Sequence, residues 1–265
     1  MQRFEFHRPK SVQEAVQALK KTKEGKLLAG GQSLIPVLKH DLAQPSDLIS
    51  LGEIEGLSEI RLDGDTLAIG ARCTHAEVAS SGVVRGAIPA LASLAGSIGD
   101  PQVRNRGTIG GSVAHSDPAA DYPAAVLGLA ATIKTDRRTI AADDFFTGLF
   151  ATALAEDEII MGVHFPKPEA AAYAKFASPA SKYAIVGVMV AKTGGNVRVA
   201  VTGAGAQVFR VAEMESALAS NFSAQALTNI QVSADDLNND VEADATYRAH
   251  LVNVMARRAV DAAQT

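Results

Sequence analysis

Two short segments of the chain each place a pair of glycines beside hydroxyl side chains. The first, Gly30-Gly31-Gln32-Ser33, follows the apolar run Lys26 to Ala29 and precedes the periodic run Leu34 to Lys39, which predicts a strand, a glycine turn and a helix. Glycine in such a turn lets backbone N–H groups converge on a phosphate that a side chain would block. A glycine pair after a strand is nevertheless more often a simple tight turn, so this segment alone predicts either structure.

The second segment, Thr108-Ile109-Gly110-Gly111-Ser112, opens a glycine-rich stretch that ends at Asp121 and matches no regular element. Two such loops could hold one pyrophosphate between them. Alternatively, they are unrelated surface turns, and Asp121 caps a helix that begins at Pro123. The residues by themselves favour neither interpretation.

The remaining patterns predict an α+β fold. Ser11 and Glu14 form a capping-box pattern that predicts a helix to about Lys21, and Thr74 with Glu77 repeats it. The hydrophobic periodicity also predicts strands at Asp47 to Leu51, Ala131 to Thr135 and Ile159 to Phe165, and hairpins around Asp63-Gly64-Asp65 and between Ala184 and Thr202. It predicts a buried helix from Ile88 to Ile98 and a final helix from Thr246 to Ala263. In the final helix, Tyr247, Leu251, Val254 and Arg258 are spaced to lie on one face.

Composition narrows the classes of partner and compartment. The net charge of −4 over 265 residues provides no basic surface for nucleic acid or anionic membranes. The charged start of the chain and the lack of a long apolar run predict a cytoplasmic protein without membrane insertion. Cys73 is the only cysteine, so this chain cannot hold an iron–sulfur cluster by itself, and its scattered histidines lack the spacing of a zinc site.

Both glycine segments resemble known cofactor motifs when they are read in full. Ala29 to Pro36 and Thr108 to Asp121 are similar to the paired FAD motifs of the medium, flavin-binding subunit of xanthine dehydrogenase and aerobic carbon-monoxide dehydrogenase type enzymes. The resemblance runs from Phe6-His7-Arg8-Pro9 to Tyr247-Arg248. It implies an FAD-binding domain of vanillyl-alcohol-oxidase (PCMH) type at residues 1–175, in subdomains of about 1–53 and 54–175, and a smaller C-terminal domain of antiparallel strands and helices at 176–265.

The resemblance also assigns residues to the cofactor, which it implies is non-covalent FAD. The first loop would receive the pyrophosphate on its amides, and the second would close over it from the other side. Asp121 matches a carboxylate that contacts the adenosine half, and Ile98 and Ile160 match apolar positions that line the cofactor. The cofactor-binding set is therefore Ala29, Gly30, Gly31, Gln32, Ser33, Leu34, Thr108, Ile109, Gly110, Gly111, Ser112, Asp121, Ile160, Lys175 and Tyr183.

Two of these matches concern the flavin ring. Lys175 matches a lysine beside the flavin, where a cation would stabilise the anionic reduced ring. Tyr183 matches an aromatic position that in relatives can lie against the isoalloxazine and regulate access to it. Many relatives have an acidic residue before that aromatic, whereas this chain has Lys182.

The family resemblance implies partners as well. A large molybdopterin subunit and a small subunit with two [2Fe–2S] clusters would assemble with this chain, commonly as a dimer of heterotrimers. Electrons from substrate hydroxylation would pass through the clusters to FAD and on to an external acceptor, so no catalytic side chain is expected here. The substrate of the complex, which could be carbon monoxide, an aldehyde, a purine or an N-heterocycle, is determined on the large subunit.

Three other functions are compatible with parts of the sequence. Gly203-Ala204-Gly205 after a strand is how a nicotinamide-dinucleotide fingerprint begins, but Val208 stands where its last glycine belongs. An independent FAD oxidase would turn over substrate without partners. A non-catalytic assembly subunit that has lost flavin would not need the glycines, which are intact.

Overall fold

The computed structural model describes residues 2–264, and its N-terminal part is a small α/β unit. Its elements are β1 (Glu5–His7), α1 (Val12–Lys21), β2 (Gly25–Leu28), α2 (Leu34–Lys39) and β3 (Asp47–Ser50). The strands form a parallel sheet in the order β1-β3-β2, which confirms the predicted unit and adds β1 to it. Only half of the predicted capping box forms, because Ser11 Oγ accepts the Glu14 N–H while the Glu14 carboxylate accepts from Lys10 N–H.

The second unit is built on an antiparallel five-stranded sheet. The strands of this sheet are β4 (Ile60–Asp63), β5 (Thr66–Gly70), β6 (Thr132–Thr135), β7 (Thr139–Ala141) and β10 (Ile160–Pro166). The unit also contains the short strands β8 (Phe146–Gly148) and β9 (Ala151–Thr152). The sheet order is β4-β5-β10-β6-β7, and β8 pairs with β9 alone. The helices that contribute to the core on its apolar face are α3 (His75–Ser80), α4 (Gly82–Ala87), α5 (Pro89–Gly96), α7 (Ile109–His115), α8 (Tyr122–Gly128) and α9 (Ala142–Phe145). The short helix α6 (Pro101–Arg104) contacts α3 and has no buried residue.

Helix α7 corrects the prediction that the second glycine segment is irregular. Thr108 caps it by accepting the Gly111 N–H on its hydroxyl at 3.1 Å, and the side chains of Ile109 and Val113 are fully buried. A β carbon on Gly110 would lie 2.6 Å from that of Ala71, so glycine is needed for the helix to pack this closely. Capping and burial together outweigh the low helix propensity of two adjacent glycines.

The C-terminal part is an antiparallel four-stranded sheet with helices on one face. Its elements are β11 (Ala170–Ala177), β12 (Ala184–Thr193), β13 (Asn196–Thr202), β14 (Phe209–Arg210), α10 (Ala212–Ser220), a 3-10 turn (Ala224–Leu227) and α11 (Ala245–Ala263). The domain boundary expected between residues 175 and 176 falls inside β11. Strand β11 pairs with β12 from Ala170 to Ala177.

Strand β12 is buried on both faces from Ala184 to Ala191, as its continuous apolar sequence suggests. Met189 and Ala191 on one face belong to the core of the second unit. Val188 and Val190 on the other face pack in the core that contains α11. Strand β12 therefore belongs to both hydrophobic cores, one on each of its faces.

The buried face of α11 differs from the face expected from its sequence. Tyr247 is 43% exposed and Arg258 is exposed, so of the expected face only Leu251 is fully part of the core. The prediction failed because an arginine, Arg248, lies on the buried face. That face comprises Arg248, Leu251, Val252, Met255, Ala256, Ala259 and Val260. No helix within residues 2–264 is long and apolar enough to cross a membrane.

Candidate functional site

The two glycine segments are in direct contact. A β carbon on Gly30 would lie 2.7 Å from the carbonyl carbon of Arg106 and 2.9 Å from the α carbon of Gly107, so only glycine allows the loops to touch here. A β carbon on Gly111 would lie 3.8 Å from that of Ala29. Segments that are about eighty residues apart in sequence thus meet at one place, as the two-loop interpretation requires.

The loops differ in the hydrogen-bond donors that they offer. Among the described residues, none accepts a hydrogen bond from the backbone N–H groups of Gly31, Gln32 or Ser33. Gly31 has a φ of +75°, which orients its peptide in a way that other residues rarely adopt. Three successive free amides in a turn form an anion-binding concavity.

The amides of the second segment are mostly used within the protein. Ile109 N–H donates to Cys73 O at 3.0 Å, and Gly110 N–H donates to Ala71 O at 2.9 Å. Gly111 N–H donates to the Thr108 hydroxyl. The second segment therefore packs closely beside the first loop but offers few free amides. The sequence did not reveal this difference between the two segments.

Asp121 lies at the centre of a buried polar cluster. It is only 3% exposed, and its Oδ1 accepts the Tyr173 hydroxyl at 2.5 Å. Lys175 Nζ lies 3.0 Å from the same oxygen. Burial raises the pKa of Asp121, and the nearby ammonium opposes this shift. The alternative role as a helix cap is wrong, because the side chain makes no capping bond to α8.

The other expected residues divide between this cluster and the core. Lys175 Nζ donates to the carbonyls of Ser97 and Lys182, which places Ile98 and Tyr183 one residue away from its partners. Tyr183 is 44% exposed, and burial of the rest of the ring raises its pKa. Ile160 is different: it is 5% exposed in the hydrophobic core of the second unit.

Helix α7 joins the loop contact to the Asp121 cluster. Its seven residues span about 10 Å, from Thr108 beside the loops to the turn at Ser116. The segment after this turn is fixed to the C-terminal sheet, because Gly203 N–H donates to Pro118 O at 2.7 Å and the Thr202 hydroxyl donates to Ala120 O at 2.7 Å. One helix and one turn thus connect the loop with the free amides to the buried Asp121–Lys175 pair.

Sequence reasoning missed several residues that build this site. Arg106 and Gly107 contribute backbone only, so no side-chain pattern marks them. Tyr173 could have been found, because it lies two residues before Lys175 on a strand and so shares its face. Gly187 leaves room for the Tyr173 hydroxyl, since a β carbon there would lie 2.8 Å from the ring's ζ carbon.

Free amides in a glycine turn, with a second backbone segment packed closely beside it, fit the pyrophosphate of a dinucleotide cofactor. Comparison with known families specifies the class. Residues 2–168 match the family described as the FAD binding domain in molybdopterin dehydrogenase. The chain belongs to this family and is an FAD-binding component of a molybdenum-containing oxidoreductase, which confirms the family that the sequence resembles.

Curated relatives cover nearly the whole chain. It is 37% identical to the nicotine 6-hydroxylase medium subunit of Paenarthrobacter nicotinovorans, over 95% of this chain and 94% of that protein. It is also 37% identical to the carbon monoxide dehydrogenase medium chain of Hydrogenophaga pseudoflava, over 98% and 97% of the two chains. Both names describe one component of a multi-subunit enzyme.

Solved structures have the same fold. A chain of the carbon monoxide dehydrogenase from Hydrogenophaga pseudoflava superposes with a TM-score of 0.88 at 36% identity, covering 99% of this chain and 98% of that one. A chain of the reconstituted enzyme from Oligotropha carboxidovorans gives a TM-score of 0.90 at 31% identity, over 99% and 98%. These similarities confirm the predicted α+β architecture.

Proposed function

We propose that this chain receives electrons from a partner subunit with [2Fe–2S] clusters and passes them to an external acceptor through FAD bound between its two glycine segments. The observation that carries the proposal is the contact of Gly30 with Arg106 and Gly107 beside three unpaired amides. When bound, FAD supplies the redox chemistry, because it exchanges both one and two electrons. The protein supplies position, exclusion of water and electrostatics.

The two glycine segments would lie on opposite sides of the pyrophosphate. The amides of Gly31, Gln32 and Ser33 would hold the pyrophosphate, and Ala29, Gly30 and Leu34 shape the loop around it. On the opposite side, α7 approaches closely because Gly110 packs on Ala71 and Gly111 faces Ala29. Thr108, Ile109 and Ser112 complete this wall. Lys175, Tyr183 and Ile160 remain proposed cofactor neighbours on the strength of the family resemblance. Asp121 is ion-paired with Lys175, so we propose it at the flavin end with the lysine rather than at the adenosine half.

The assembly is part of the same proposal. A large molybdopterin subunit would hold the substrate, and the arrangement as a cytoplasmic dimer of heterotrimers rests on the resemblance alone. The names of two relatives, each 37% identical to this chain, refer to different substrates, nicotine and carbon monoxide. This difference supports the view that the large partner subunit selects the substrate. Chains like this one would then transfer electrons to the acceptor whatever the substrate is.

The test is an absorption spectrum of the purified chain after incubation with FAD and removal of unbound flavin by gel filtration. We expect a retained flavin band that no aldehyde or purine reduces unless the partner subunits are added. Reduction of the flavin by such a substrate in the pure chain would support the alternative, an independent FAD oxidoreductase. Absence of bound flavin both in the chain and in the assembled complex would contradict the proposed site.

A further inference from the structure

The ammonium group of Lys175 joins three segments of the chain. It donates to Ser97 O at 3.0 Å, to Lys182 O at 3.0 Å and to Asp121, whose oxygens lie at 3.0 and 3.2 Å. The side chain is 8% exposed. An ammonium has three N–H donors, and these three acceptor groups account for all of them. Lys175 has no donor left for a ligand.

One of these acceptors lies in an unusual turn. Lys182 has a φ of +65°, in the left-handed region that favours glycine, and its carbonyl accepts from Lys175. The turn is closed by two backbone bonds, from Lys182 N–H to Ser178 O at 3.0 Å and from Ser178 N–H to Tyr183 O at 2.8 Å. A residue in this conformation persists only where its surroundings hold it.

Tyr183 follows directly after this carbonyl. Its ring is 44% exposed, whereas the next residue, Ala184, is buried and donates its N–H to Ala119 O at 3.2 Å. The backbone of the tyrosine is held by β12 on one side and on the other by the turn, where Tyr183 N–H donates to Ser181 Oγ at 3.2 Å, and the Lys182 carbonyl connects this turn to Lys175. Lys175 is the only side chain among the described residues that donates to that carbonyl.

We infer that Lys175 is a positioning residue: through the Lys182 carbonyl it holds the Tyr183 ring at the flavin and so controls how acceptors reach the ring. The inference rests on the proposed function, and it replaces the expectation that Lys175 stabilises the reduced flavin by its charge. The pairing with Asp121 supports the replacement, because a neutral ion pair contributes little net field at a distance.

The experiment uses the full-length chain loaded with FAD. Flavin is reduced photochemically, and its reoxidation by benzoquinone is followed by stopped-flow absorbance in the wild type, Lys175→Met, Tyr183→Ala and the double variant. We expect each single variant to raise the rate constant by roughly tenfold, because a misplaced or missing ring no longer covers the flavin. The double variant should be no faster than the singles, since the two residues act in series.

The midpoint potential of the flavin separates positioning from charge. Because Lys175→Met alone leaves the buried Asp121 carboxylate without its partner, the potential is compared in Asp121→Asn/Lys175→Met, which removes both charges. It should be the same in that variant and the wild type, whereas a direct electrostatic role of Lys175 predicts a lower potential and rate effects that add to those of Tyr183→Ala. A lower potential in Asp121→Asn/Lys175→Met, additive rates or loss of FAD from Lys175→Met would overturn the inference.

The two proposals fail in different ways. If the wild-type chain and the assembled complex bind no flavin, the proposed function is wrong. If the wild type is loaded and Lys175→Met reoxidises at the wild-type rate, only the positioning role is wrong.

Discussion

The α carbon of Gly30 lies against the backbone of Arg106, at a distance that leaves no room for a β carbon. Gly30→Ala would therefore push the first loop away from the second, and we expect FAD affinity to fall by at least about tenfold with a lower Tm. Affinity can be measured by titration of flavin fluorescence. Gly86→Ala in α4 is the matched control, because a β carbon there meets no atom within 4 Å. It should bind FAD like the wild type and be equally stable or slightly more stable. Equal affinity in both variants would show that the loop contact is not part of the site.

Gly111→Val tests the wall formed by α7. The new β carbon would lie 2.9 Å from the Thr108 hydroxyl oxygen, and the branched side chain would fill the space toward Ala29. We expect loss of FAD binding, with a cost of about 1 kcal/mol in stability from the disturbed cap. Gly82→Val, at an open position of α4, is the comparison for the introduction of valine into a short helix. If Gly111→Val retained flavin as Gly82→Val does, the second segment would not face the cofactor.

His75 should make stability depend on pH between about 4 and 6.5. Its ring is 5% exposed, and burial first and the charge of Arg104 second lower its pKa from 6.5 to about 4. In that window the unfolded chain binds a proton that the folded chain does not, so the free energy of unfolding decreases as pH falls, by on the order of 3 kcal/mol. His75→Phe should make urea midpoints less dependent on pH. His40→Gln, at an exposed position, should keep the wild-type dependence, and an identical slope in all three proteins would refute the assignment.

Arg248 should be among the most important polar residues for stability. It is 3% exposed and donates to the carbonyls of Ile185 and Gly203, at 2.6 and 3.0 Å, and to both carboxylate oxygens of Asp240. Arg248→Met would leave these acceptors unpaired, and we expect the free energy of unfolding in urea to fall by about 3–5 kcal/mol. Arg257→Met on the exposed face of the same helix should change it by no more than about 0.5 kcal/mol. Similar values for the two variants would contradict this account.

The sequence predicted the elements whose hydrophobic pattern is regular. The hairpin of β12 and β13, the helix α1 and the capping box at Thr74 all form as expected. It failed for α7, where helix propensity argued against what tertiary packing enforces at Gly110. It also failed for the face of α11, because a buried arginine looks like a surface residue until its partners are known. Such partners come from distant segments, which local patterns do not contain.

In the candidate site, too, some features could be predicted from the local sequence and others depend on distant segments. The glycine pairs were recognisable because a close approach of two backbones requires glycine at those positions. Which amides are free could not be predicted, since Ile109 and Gly110 lose theirs to carbonyls that precede α3. The contacts of Lys175 likewise depend on two carbonyls, Ser97 O and Lys182 O, which any residue would provide.

Because β12 and β13 lie between two hydrophobic cores, the folding unit is larger than the region that matches the family. The family match ends at residue 168, yet the core above the five-stranded sheet includes Met189, Ala191 and Ala200 from beyond that point. A fragment cut at this boundary would present to water the apolar surface that these residues cover. An engineered exchange of the flavin-binding part between relatives would therefore have to carry both strands along.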